Sequence, residues 1–130
     1  ARKVARIEAG LESPVMRVGN LETRRDMTDV RDVADAYVRI VESGRAGRPY
    51  NVCSGRAHRM RDLLERLCEL ASVDITIETD PARLRPNDVP IVEGDSTRLR
   101  AELGWTPHID LDQTLRDTLD WWRAEVRAGG

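Results

Sequence analysis

Alternating helices and short strands are what this sequence predicts, an α/β or α+β class. Three observations carry that expectation. Apolar residues return at helical spacing from Thr28 and again from residue 60, the pattern of helices with one buried face. Short apolar or alternating runs, "PVMRV", "PYNVCSG" and "DITIETD", separate the helical stretches and are closed by turn residues, as strands are. No repeat or low-complexity linker interrupts the series. At 130 residues the chain is the length of one domain, enough for one compact core.

The opening "ARKVARIEAG" has helix formers from its first residue, with Val4 and Ile7 on one face and Gly10 as a stop. "PVMRVGN" follows as a short strand ending in a turn, then "LETRRDMTDVRD" as a polar, extended stretch. A helix is expected from Thr28, capped by Thr28 or Asp29, with Val33, Ala36, Tyr37, Ile40 and Val41 as its apolar stripe. "PYNVCSG" reads as a buried strand, parallel and central, with neighbours on both sides. The next helix, over 60–71, turns Leu63, Leu64, Leu67, Cys68 and Ala71 inward, and "DITIETD" alternates as a half-exposed strand. Asp95 or Ser96 caps a short helix stopped by Gly104, and Trp105 follows as a hydrophobic latch. Asp110 and Gln113 have the spacing of a capping box for the last helix, whose Leu115, Leu119 and Trp122 face the core.

Composition narrows the function. The chain is 40% hydrophobic and 34% charged, with no apolar run of membrane-spanning length and no basic-then-apolar leader, so a soluble, cytoplasmic protein is expected. A formal charge of −2 speaks against a general nucleic-acid binder. Cys53 and Cys68 stand alone on apolar segments and read as buried free thiols, not zinc ligands or a disulfide framework. Lys3 is the only lysine, so arginine abundance is a matter of composition and only an arginine's position is informative.

The sequence holds no Gly-rich dinucleotide turn, no phosphate loop ending in Gly-Lys-Ser and no nucleophile elbow, so it offers no catalytic, cofactor or metal-binding set of its own. His58 and His108 read as surface or capping residues, and Asp29 and Asp32 as acidic residues placed at a helix start. Two constellations remain. "TRRDMTDV" places two arginines and an aspartate just before a helix, and in "RLRPNDVP" Arg85 and Asp88 flank a turn whose Pro86 fixes its own φ and biases Arg85 to an extended backbone. An arginine fork suits a diphosphate, and a nearby carboxylate accepts from sugar hydroxyls. Spacing alone leaves two readings open, a nucleotide-diphosphate clamp and a salt-bridged surface turn.

The succession "VGNLETRRDMTDVRDVADAY", "YNVCSG", "LRPNDVPIVEGDSTRLRAELGWTPHIDL" and "LDWWR" resembles, over essentially the whole chain, the C-terminal part of extended short-chain dehydrogenase/reductases acting on nucleotide sugars. The resemblance leans to the GDP-6-deoxy-4-keto-D-mannose reductases, with the GDP-mannose 4,6-dehydratases next. It implies an α/β substrate-binding domain over residues 1–130, cut from a larger enzyme and lacking the N-terminal Rossmann half. It further implies that Arg25 and Arg85 grip the phosphates of a GDP-sugar, that Asp88 holds ribose hydroxyls, and that Pro86 and Asn87 shape the turn. Arg24 is a weaker candidate. Met27 replaces an aromatic residue usual in relatives, and Arg59 stands where they often carry a capping Ser or Thr.

By the same resemblance NADP(H) and the Tyr-x-x-x-Lys set belong to the missing half, and the chain alone is expected to be inert. The "PYNVCSG" strand and the 28–43 helix are implied to pack on that half, which leaves an apolar edge prone to self-association, as a homodimer or by strand exchange. The rival readings are a 4,6-dehydratase fragment and a stand-alone nucleotide-binding or interaction module without chemistry.

Overall fold

A computed structural model describes residues 1–84 and 88–129. In chain order its elements are α1 (Arg2–Glu8), β1 (Val15–Val18), β2 (Arg24–Asp26), α2 (Val30–Ser43), β3 (Ala57–Arg59), α3 (Met60–Glu69), β4 (Thr76–Thr79), a 3-10 turn (Pro81–Arg83), β5 (Ile91–Val92), α4 (Thr97–Leu103) and α5 (Leu111–Ala128). The class is mixed α/β. The chain divides into two compact units, one of Ala1–Thr23, Arg59–Pro90 and Asp112–Gly130, the other of Arg24–His58 and Ile91–Leu111. Where the length predicts one core, the buried apolar residues form two clusters, one in each unit.

In the first unit β1 and β4 pair in parallel, Val15 opposite Thr76 and Val18 opposite Thr79. Parallel neighbours need a long crossover, supplied here by more than fifty residues that include α3. Val4, Ala5, Ile7, Met16 and Leu119 make the buried centre, and Leu64, Leu67, Ile77 and Trp122 pack around it. The helical spacing of Val4 with Ile7, and of Leu119 with Trp122, is the reason α1 and α5 each bury one stripe. A bidentate ion pair locks these helices. Arg123 donates from Nε to Glu8 Oε2 at 2.8 Å and from Nη2 to Glu8 Oε1 at 2.6 Å, while the Ser72 amide donates to the same carboxylate at 2.8 Å. These donors, the Arg123 guanidinium above all, hold the Glu8 carboxyl at a pKa of about 2.

The N-terminus of α3 carries no side-chain cap, in line with Arg59 standing where a capping Ser or Thr is usual. Arg59 occupies the capping position without a side-chain bond to the helix, because a guanidinium only donates and cannot accept from a helix amide; it pairs with Glu22 instead. Two amides at that end, those of Met60 and Arg61, donate instead to the carbonyls of Thr23 and Leu21.

In the second unit the sheet order is β3-β2-β5, and β2 runs parallel to β5, Arg24 opposite Ile91 and Arg25 opposite Val92. Ala36, Leu99 and Trp105 form its buried cluster, with Ile40, Tyr50, Val52 and Leu103 packed against them. Asp29 caps α2 as predicted, its Oδ1 accepting from the Arg31 amide at 2.9 Å. Gly104 ends α4 in the left-handed region at φ 62°, where glycine is favoured, and Trp105 is fully buried directly after it. The indole donates to the Asp32 carbonyl at 3.0 Å, and the buried Asp32 carboxylate accepts from the amides of His108 and Ile109 at 3.1 and 3.0 Å. Asp32 therefore staples the loop before α5 to the start of α2, more than a helix-start charge. Ser96 sits at the capping position of α4, but the bond to the Thr97 amide comes from Asp95, at 2.8 Å.

Two further expectations are corrected. "PYNVCSG" forms no strand: Val52 and Cys53 are inward, yet the segment's polar groups are taken by side chains and no ladder forms. Tyr50 donates its hydroxyl to Glu102, the Asn51 side-chain amide donates to the Asp95 carbonyl, and the Ser54 and Gly55 amides donate to Asp26. An apolar run reports burial, whereas a strand also needs a neighbour aligned to pair with it. The second correction is in α2. Ala36 is buried and Val33 and Ile40 half-buried, but Tyr37 and Val41 are exposed, with Val30 and Val38 beside them. The unit covers one narrow strip of the helix and leaves a second apolar face open.

Candidate functional site

Arg24, Arg25 and Asp26 make up β2, the central strand of its small sheet. Three polar residues form a strand here because neighbours on both edges pair with them, although nothing in their own pattern marks more than an extended stretch. Arg25 is half-buried and its Nη1 donates to the Arg24 carbonyl at 2.7 Å, which holds the guanidinium back along its own strand. Arg24 is exposed.

Asp26 is the best-held side chain of the strand. Its Oδ1 accepts from the Ser54 amide at 2.9 Å and the Ser54 hydroxyl at 2.5 Å; its Oδ2 accepts from the amides of Gly55 at 2.9 Å and Gly94 at 3.2 Å. Burial pushes this carboxyl's pKa upward, but the Ser54 hydroxyl and the three amides outweigh it and hold the group below the ordinary value. Gly94 reaches the carboxylate only because it has no side chain, since a Cβ there would lie 2.5 Å from the Cys53 sulfur. Cys53 is buried at that contact and Cys68 half-buried; both are free thiols, and burial raises both their pKa values.

Of the other predicted substrate residues, Asp88 lies in the first unit and is half-buried. Arg85, Pro86 and Asn87 lie outside the described residues. The His108 side chain is exposed and His58 half-buried. No group of three or more His, Cys, Asp and Glu residues able to hold a metal occurs among the described residues. No helix among them is long and apolar enough to cross a membrane.

The order of these elements, with an Arg-Arg-Asp strand before α2 and a parallel pair around it, has counterparts. Residues 1–118 match the family model described as GDP-mannose 4,6 dehydratase. The chain belongs to that family. Within it, the chain is 42% identical over 127 residues to the GDP-6-deoxy-D-mannose reductase of Pseudomonas aeruginosa, covering 98% of this chain and 42% of the relative. The structure of RMD from Pseudomonas aeruginosa complexed with NADPH superposes with a TM-score of 0.88 at 38% identity, over 95% of this chain and 41% of that one. The UDP-glucose 4-epimerase of Thermotoga maritima, solved with UDP-glucose, gives a TM-score of 0.80 at 27% identity, over 95% of this chain and 38% of that one. The GDP-mannose dehydratase family is thus joined to the extended short-chain dehydrogenase/reductases, as the motifs imply. The chain spans about two fifths of the length of the relatives it matches.

Proposed function

We propose that the chain is the sugar-nucleotide-binding portion of a GDP-6-deoxy-4-keto-D-mannose reductase, a cytoplasmic enzyme of GDP-deoxyhexose synthesis. The observation that carries the reading is the likeness to the Pseudomonas aeruginosa reductase, which runs through 98% of the chain at 42% identity. In this reading Arg25 and Arg85 bind the diphosphate, Asp88 accepts from the ribose hydroxyls, and Pro86 and Asn87 shape the loop. Guanidinium groups suit the first task because their fork of donors meets two phosphate oxygens at once. NADP(H) and the acid that protonates the reduced carbonyl belong to a dinucleotide-binding half, which supplies the chemistry. This chain's residues contribute affinity and orientation, and by themselves turn nothing over.

A calorimetric titration with GDP-mannose, against UDP-glucose as control, tests the reading. Saturable binding that prefers the GDP-sugar, and that weakens by roughly 1.5–3 kcal/mol in Arg85→Ala, is expected. Equal affinity in that variant removes Arg85 from the site. A 4,6-dehydratase is the second reading, favoured by the family match over residues 1–118. Joined to its dinucleotide-binding half, a reductase consumes the 4-keto sugar nucleotide and a dehydratase consumes GDP-mannose.

A further inference from the structure

Resting on the reading of Arg25 as a diphosphate ligand, we infer that Asp26 is the residue that positions Arg25. β2 is only three residues long and its parallel neighbour β5 only two, so ladder hydrogen bonds alone define the strand weakly. The Asp26 carboxylate adds four bonds from Ser54, Gly55 and Gly94, two to each oxygen.

Each anchor is itself held. The Ser54 hydroxyl accepts from the Arg56 amide at 3.2 Å and the Ser54 carbonyl accepts from Arg100 Nη2 at 2.6 Å. Gly55 turns the chain at φ 76°, a conformation other residues resist, and Gly94 is packed against Cys53. Neighbouring strand residues send their side chains to opposite faces. The four bonds on Asp26 therefore oppose the rotation of β2 about its axis that would swing Arg25 out of line. With its oxygens filled by donors from the protein, Asp26 touches no ligand and acts through its neighbour. Its value is in aim, because displacement of a binding group by about 1 Å can cost a hundredfold.

The test is a calorimetric titration of the full 130-residue chain with GDP in five forms: unsubstituted, Arg25→Ala, Asp26→Ala, the double variant and Asp26→Asn. Arg25→Ala and Asp26→Ala are each expected to lower affinity about tenfold or more, and the double variant to fall no further than Arg25→Ala alone. Asp26→Asn keeps an oxygen for the Ser54 donors and is expected to recover part of the loss. Affinity unchanged in Asp26→Ala, or losses that multiply in the double variant, overturns the inference and leaves the reading of Arg25 standing. Undiminished binding in Arg25→Ala, or no binding by the unsubstituted chain, overturns that reading and the inference together. Should Asp26→Ala fail to fold, Ser54→Ala removes a single bond to the carboxylate; the same cycle with Arg25→Ala is expected to show the same lack of additivity, and additivity there overturns the inference.

Discussion

Glu8 shows how much one well-placed carboxylate can hold. It is largely enclosed, its oxygens are taken by Arg123 and the Ser72 amide, and its folded pKa is about 2 against an ordinary 4.5. A depressed carboxyl contributes stability that is complete above its unfolded pKa and is lost as pH falls through its folded one. The contribution of Glu8 should therefore fade between about pH 4.5 and pH 2. Glu8→Gln is expected to cost roughly 2 kcal/mol near neutral pH, and the gap between the two proteins to close across that window in acid. Urea titrations at a series of pH values check this; a gap that stays constant would take the ion pair out of the account. The sequence carries no sign of this pair, whose members stand 115 positions apart. Asp26 is the same lesson in the second unit: its partners lie 28, 29 and 68 residues away, so nothing beside it in the sequence announces them.

At the scale of elements, what is local was legible. Asp29 as a cap, Gly104 as a stop and the missing side-chain cap at Arg59 depend on groups within about one turn of each other, whereas Trp105 was legible as a latch by its place after Gly104 but latches onto Asp32, 73 positions away. The latch also makes the clearest element-scale prediction. Trp105→Ala leaves the space of a fully buried indole beside α2 and α4 and should cost about 3–5 kcal/mol. Trp105→Phe fills most of that space and loses the bond to the Asp32 carbonyl, so it should cost far less. Chemical denaturation of the two variants distinguishes packing from hydrogen bonding; similar losses in both would assign the effect to the bond. "PYNVCSG" shows the limit of such reading. Its apolar composition reported inward side chains correctly, but pairing depends on a distant neighbour, and the ladders form instead among 24–26, 57–59 and 91–92.

For the whole molecule, the open face of α2 has the clearest consequence. Val30, Tyr37, Val38 and Val41 are all more than half exposed on one helix, and contiguous apolar surface of this kind drives association. Concentration-dependent self-association is expected, and Val38→Glu combined with Val41→Glu should leave a monomer. Sedimentation velocity over a wide concentration range decides it; a protein monomeric throughout without the substitutions would mean that the face is tolerated in water.

By itself the sequence determined the family, the α/β class and the positions and ends of the helices. Spacing, caps and motifs act over a few residues and are written where they act. Only the tertiary structure decided that the apolar residues divide between two units, which residues of α2 stay uncovered, and that Asp26, Asp32 and Glu8 each tie distant segments together. Parallel pairing and carboxylate tethers join residues tens of positions apart. A carboxylate's neighbours in sequence say nothing of the amides it will meet in space.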